Sequence, residues 1–224
     1  MHKKQQDRKR RKNPFEPQAE ERYFRHNEGG TDYYTLPLIP LAGAFSLSFS
    51  ALLKQGVVQN FKFFSSNTNS STLTWDSTGN VFISTETSGF VFVGSLTQNN
   101  LLNRFVVSRD VSNLITVNIN GIDVSSGGAA SGVLDIERLL IRSAENAVGV
   151  LADFKVSDNG VPIRNYPIND NGNTIRDLVS GQDGSVINGN TDDWGLFKEQ
   201  PTLWKGQGLA VPPWDSVDQE LIKA

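Results

Sequence analysis

Hydrophobic and polar residues alternate along residues 44–52, AFSLSFSAL, so that Phe45, Leu47 and Phe49 fall on one side of an extended backbone and serines on the other. A period of two is what a strand with one buried and one wet face requires. Shorter apolar runs follow at residues 57–64, 71–75, 80–85, 89–94 and 104–108, and each reads as a strand. Residues 113–119 alternate again and end in Asn120-Gly121. That pair takes positive φ at both positions and closes a tight hairpin, with 122–124 starting the return strand. Two longer candidates, 133–143 and 148–156, complete the series. Strands of this length, separated by turn residues at this spacing, predict a sandwich or barrel. No long segment has a 3.6-residue period, the nearest (217–223) is short, and no internal repeat is visible.

The two ends have a different texture. Residues 1–30 lack apolar periodicity, carry Pro14 and Pro17 and close on Gly29-Gly30. Such a segment buries too little surface to offset its ordering entropy alone. It reads as an extended arm, with Phe15, Tyr23 and Phe24 as isolated anchors for a partner. Beyond residue 160 the chain turns loop-rich at 169–173 and 181–184. It then becomes a proline-punctuated aromatic tail with Trp194, Phe197, Trp204 and Trp214. Unpatterned large rings suggest a strap docked by ring burial. The expected division is an arm over 1–30, a sandwich over 31–168 and a strap over 169–224.

Composition narrows the chemistry. With 224 residues, 20 glycines and 9 prolines, one turn-rich β domain with appendages fits. There is no cysteine, so neither a disulfide framework nor a thiolate metal site can form. The two histidines, His2 and His26, both fall in the arm, which removes serine–histidine catalysis and histidine-based zinc sites from the body. No phosphate-binding glycine loop is present. No apolar run approaches the roughly 18 residues that cross a membrane, so membrane insertion is not expected. The basic N-terminus has no apolar segment behind it, as a secretory signal would.

Charge is unevenly placed. Residues 1–12 hold seven basic side chains against one acid, a local +6, whereas the whole chain carries −3, leaving −9 for the rest. The run Arg8, Lys9, Arg10, Arg11 and Lys12 can engage an acidic protein surface or, through counterion release, nucleic acid. The first is favoured because aromatics do not interleave with it.

Residues 114–160, LITVNINGIDVSSGGAASGVLDIERLLIRSAENAVGVLADFKVSDNG, resemble the second half of concanavalin A-like lectin/glucanase and laminin-G-like domains. In those domains a strand ends in an Asn-Gly hairpin, a Gly/Ser loop follows, and two further strands close the sheet. Residues 44–53 resemble their opening strand. One departure is Ile141-Arg142, where the family has Ile-Gly. The stretch YPINDNGNTIRDLVSGQDGSVINGNTDDWGLF and the ending VPPWDSVDQELIKA are similar to tail-associated and other structural proteins of bacteriophages.

The resemblance implies an all-β, antiparallel jelly-roll β-sandwich of the concanavalin A-like kind. It implies a non-enzymatic structural protein of a virion (head decoration, neck or tail), anchored by the arm to other virion proteins or to copies of itself, and adhesive to a host glycan. A stand-alone carbohydrate-binding module is the alternative. Glycosidases of this fold carry two glutamates flanking an aspartate on one strand, and no such run occurs here. Asp135 and Glu137 share a face without a third acid. For sugar, the candidates are Trp75 for stacking and Asp76 for hydrogen bonding, although a tryptophan on an alternating strand is more often core. For calcium, which such domains often bind, the candidates are Asp170, Asn171, Asn173 and Asp183, although Asx residues also build turns without metal.

Overall fold

The computed structural model describes residues 21–28, 33–53, 60–76, 78–95, 103–142, 148–168, 173–187 and 194–198. Its strands in chain order are β1 (Glu21–Glu28), β2 (Tyr33–Leu41), β3 (Phe45–Leu53), β4 (Asn60–Ser65), β5 (Thr72–Asp76), β6 (Asn80–Ser84), β7 (Val91–Ser95) and β8 (Asn103–Arg109). They continue as β9 (Ile115–Ile119), β10 (Ile122–Asp123), β11 (Leu134–Arg142), β12 (Val148–Asp158), β13 (Val161–Tyr166), β14 (Thr174–Ile175), β15 (Gly184–Ile187) and β16 (Trp194–Lys198). No helix occurs among the described residues. One sheet runs β10-β9-β8-β3-β12-β1-β16, with β13 continuing past β1 along β12. The other runs β14-β15-β2-β11-β4-β5-β6-β7. The result is an antiparallel β-sandwich, as the alternation predicts.

The apolar parity of each strand sets which face is inside. Phe45, Leu47 and Phe49 of β3 are buried beside Phe105 and Val107 of β8 and Ile115, Val117 and Ile119 of β9. From the second sheet come Leu73 and Trp75, Val81 and Ile83, and Leu134 and Ile136. Rings fill the centre. Phe49 stacks on Phe105 at 5.1 Å between centroids and tilts against Phe63 at 4.9 Å. Trp75 meets Phe105 edge-on at 5.6 Å. The β4–β5 register slips between Lys62 and Phe64, and this bulge lets the consecutive Phe63 and Phe64 both face inward. At the turn from β9 to β10, Asn120 and Gly121 have φ of 54° and 85°, the hairpin geometry that their sequence predicts.

Three departures from expectation have physical causes. Residues 33–41 form β2 despite Pro37 and Pro40. β15 pairs with β2 only over Tyr33 to Thr35, so both prolines lie where one flank of β2 needs no N–H donor, and the β2–β11 register slips around Pro37. The arm boundary also moves. Glu21–Glu28 is a strand between β12 and β16, so Tyr23 and Phe24 lie within this chain's own sheet, opposite Leu196 and Gly195. Residues 8–12 and Phe15 lie outside the described residues. Finally, the described parts of the strap, 173–187 and 194–198, carry strands: β14 and β15 extend the second sheet and β16 extends the first.

Asp177, 5 % exposed, holds the β14–β15 loop. Its carboxylate accepts N–H bonds from Asn165 (2.9 Å), Val179 (3.0 Å) and Ser180 (3.3 Å) and the Ser180 hydroxyl, and lies 3.7 Å from Arg164. Because Asn165 and Arg164 belong to β13, this one carboxylate links the two sheets.

Arg109, on β8 opposite Phe45, is the other polar tie. It is 2 % exposed and donates to the carbonyls of Gly43 (2.8 and 2.6 Å), Ala130 (3.3 Å), Gly132 (2.6 Å) and Leu41 (2.9 Å). Its guanidinium lies 4.8 Å over the Phe45 ring. A buried cation is tolerated when its donors are satisfied. Arg109→Met keeps the bulk and removes every donor, leaving four carbonyls short of a partner. The expected loss is about 3 kcal/mol in urea unfolding with an unchanged slope; a variant within about 0.5 kcal/mol of the parent removes Arg109 from this role.

Candidate functional site

The outer face of the second sheet, at its β7 edge, presents aromatic rings to solvent. In β7 and the residue before it, Val91 and Val93 turn inward, which leaves Phe90 and Phe92 on the outside at 68 % and 42 % exposure. The β6–β7 register slips between Val81 and Phe82, and the bulge at Val93 keeps that side chain in the core. Phe92 stands opposite Phe82, with ring centroids 5.8 Å apart and planes at 57°. Phe82 stands opposite Thr74, and Thr74 opposite Lys62. Two rings, a covered threonine (Thr74, 6 % exposed, its hydroxyl 3.4 Å from that of Thr72) and an amine therefore form one row across four strands, on the side away from the core that Leu73 and Trp75 enter.

The edge itself is covered. Ser126 donates its N–H to the Val93 carbonyl (2.9 Å) and its hydroxyl to the Phe92 carbonyl (2.8 Å). Gly128 lies so close that a Cβ there would sit 2.3 Å from the Phe92 carbonyl oxygen. The backbone of β7 is thus occupied while the rings of Phe90 and Phe92 stay open, which keeps an exposed aromatic edge from pairing with other strands.

The 66–71 loop stands at one end of this face. Glu137 organises it, accepting from the Ser66 hydroxyl (2.8 Å), the Asn67 N–H (2.6 Å) and the Thr68 hydroxyl (3.5 Å). Asp135 accepts from the Asn69 amide (2.7 Å), and the Ser84 hydroxyl donates to the Ser70 carbonyl (2.6 Å). Burial opposes ionisation of Glu137, but the loop's donors outweigh it and hold its pKa below the ordinary value. Asp135 goes the other way. Burial, together with the charges of Glu137 and Glu86, raises its pKa against a single hydrogen bond from Asn69. These two acids are half-buried turn-makers.

The sugar candidates named from sequence do not converge here. Trp75 has 0 % exposure and packs in the ring cluster, so its face offers no stacking surface. Asp76 caps the turn into β6, accepting from Thr78 N–H (2.9 Å), Thr78 hydroxyl (2.7 Å) and Asn80 N–H (2.8 Å). Burial opposes that charge, and these bonds lower its pKa in spite of it. Of the calcium candidates, Asp170 and Asn171 lie outside the described residues. Asp183 accepts the Asp177 N–H (2.8 Å), and Asn173 uses its carbonyl on Val186 N–H (2.9 Å). Among the described residues no cluster of three His, Asp or Glu side chains is arranged to hold a metal. Phe90 and Phe92 were missed because GFVFVG is apolar on both parities, so its alternation alone does not say which side is buried.

No protein-family pattern matches the sequence, and no curated protein does. Solved structures do. A protein of Bacteroides ovatus ATCC 8483, provisionally named a carbohydrate-binding protein, superposes with a TM-score of 0.55 at 11 % identity, covering 80 % of this chain and 61 % of that one. The receptor-binding domain of botulinum neurotoxin type G gives 0.39 at 10 % identity, covering 62 % and 43 %. The likeness is one of fold. This chain spans less than two thirds of either protein.

The Glu137 contacts make a pH prediction. A lowered carboxylate pKa stabilises the fold above its ordinary value of 4.5, and that contribution is lost as pH falls through the folded value. Glu137→Gln is therefore expected to cost about 1 kcal/mol at pH 7 in urea unfolding, a deficit that shrinks as pH falls below 4.5. A deficit that persists unchanged at pH 3 rules out the charge as its source.

Proposed function

We propose that this chain is a non-enzymatic, carbohydrate-binding β-sandwich whose binding face is the outer row Phe92, Phe82, Thr74 and Lys62, extended by Phe90. The exposed Phe90 and Phe92, with the Lys62 amine at the other end of their row, carry the reading. Sugar rings offer C–H faces to an aromatic platform while their hydroxyls need polar partners close by. The fold shared with the Bacteroides ovatus protein, named for carbohydrate binding, supports the same reading. The two carboxylates nearest the face, Asp135 and Glu137, are committed to the 66–69 loop, and this speaks for binding over hydrolysis.

Phe90→Ala with Phe92→Ala is expected to weaken binding on a glycan array about tenfold or more. Both rings are open to solvent, so the melting temperature should stay within about 2 °C. Undiminished glycan binding by this double variant excludes the face.

A finer placement is display on a bacteriophage particle, with the basic residues 8–12 as anchor and a host surface glycan as ligand. It rests on the +6 charge of residues 1–12 and on the resemblance of residues 166–197 to phage structural proteins. The informative cut is after residue 20, because a cut after residue 30 also removes β1 from the first sheet. Light scattering is expected to show assemblies for the full chain and monomers for 21–224. Equal assembly by both removes residues 1–20 from any anchoring role.

A further inference from the structure

The same face carries two cations whose charge the carbohydrate reading leaves unexplained. Lys62 ends the aromatic row on β4. Arg138, on the neighbouring β11, stands opposite Ser65 on one side and Thr35 on the other. Its row continues as Ser65, Thr72 and Ser84 across β4, β5 and β6. The residue opposite Lys62 on β11 is Ile141, three positions from Arg138, so strand spacing and rise put the Lys62 and Arg138 backbones about 11 Å apart, within reach of one shared group for two side chains of this length.

No ion pair joins either cation to a carboxylate among the described residues, whereas Arg164 lies 3.7 Å from Asp177. Arg138 is held in place by stacking, its guanidinium 4.9 Å over the Tyr33 ring. Its Nε is shielded from water and has no hydrogen-bond partner among the described residues. A planar guanidinium presents its remaining donors in a geometry that suits carboxylate or sulfate oxygens. The acids of this face do not supply those oxygens. Glu137 and Asp135 accept from the 66–69 loop, and Asp76 accepts from its own turn.

We infer that the face takes an anionic oligosaccharide, whose carboxylate or sulfate lies between Lys62 and Arg138 while its rings extend over Phe82 and Phe92. This rests on the carbohydrate reading and specifies its ligand class. A neutral sugar covers the rings but leaves both cations without a counter-charge. From Lys62 to Phe92 the row spans three strand intervals, about 14 Å, which suits more than one sugar ring. An oligosaccharide with its acidic unit over Lys62 and Arg138 meets both ends at once.

The test is an array of neutral oligosaccharides, each printed beside its uronate, sialylated and sulfated counterparts, probed with the full chain at low and high salt. Retention on anionic members at least about tenfold above their neutral counterparts, falling as salt rises, is the expected result. Lys62→Gln and Arg138→Gln should each bring that ratio toward one. Phe92→Ala should weaken charged and neutral members alike. Lys62 stands partly in solvent, so its variant carries the test if Arg138→Gln fails to fold. The carboxylated and sulfated members separate the two sources of charge. Neutral members bound as tightly as charged ones overturn the inference and leave the carbohydrate reading standing. An array with no bound member overturns both.

Discussion

Burial of four rings between the sheets, Phe49, Phe63, Trp75 and Phe105, determines what the protein shows to solvent. A strand side chain has only two directions, so each residue that enters the core sends its neighbours out. With Leu73 and Trp75 inside, Thr74 faces out. With Val81 and Ile83 inside, Phe82 faces out. With Val91 and Val93 inside, Phe90 and Phe92 face out. The outer row is thus the complement of the core, and its spacing is set by the ladder. The bulges at Phe63 and Val93 matter for the same reason. Each adds one more apolar side chain to the core while keeping Lys62 and Phe92 in line with Thr74 and Phe82. A one-residue slip in β7 would bury Phe92 and expose valines, removing the aromatic platform without changing composition.

A cysteine-free sandwich has to close its loops without disulfides, and this one uses buried polar side chains at its margins. Arg109 collects carbonyls from the β2–β3 turn and from residues 130–132, drawing the second sheet's connections onto the end of β8. Asp177 collects N–H groups from its own loop and from β13. The two are opposite in sign and similar in logic. Each is a charge whose hydrogen-bonding capacity is met by backbone groups that a loop would otherwise leave unpaired. Tyr166 joins the second tie, donating to the Gln182 carbonyl at 2.8 Å, and burial together with the Asp177 charge pushes its pKa up to about 12. Such ties let long connections pack tightly although they contribute few apolar contacts.

Most of the sandwich was legible because β3, β8 and β9 alternate cleanly and Asn120-Gly121 announces its hairpin. Elements that escaped did so for specific reasons. β2 contains two prolines, and only its one-sided pairing explains why they are tolerated. β1 and β16 are strongly polar or short in sequence and become strands by pairing with each other and with β12, a long-range fact that no local pattern carries. At the site, Trp75 drew attention as the tryptophan of the body, but parity puts it inside. The rings that are exposed sit in a run that is apolar on both parities. Lys62 and Arg138, about 75 residues apart in sequence, meet only through the β4–β11 ladder.

The Asp135–Glu137 pair shows why perturbed acidity alone does not make an active site. Two carboxylates on one strand, with one pKa raised and the other lowered, match the division of labour between a general acid and a nucleophile. That chemistry requires both groups to address the same glycosidic linkage from a shared opening. Here Glu137 addresses Ser66, Asn67 and Thr68, and Asp135 addresses Asn69, so both face the backbone turn that joins β4 to β5. The difference in acidity follows from the number of donors. Glu137 receives several and ionises easily. Asp135 receives one, is partly buried and sits in the field of two other acids. Their negative charge also flanks the end of the face away from Phe92.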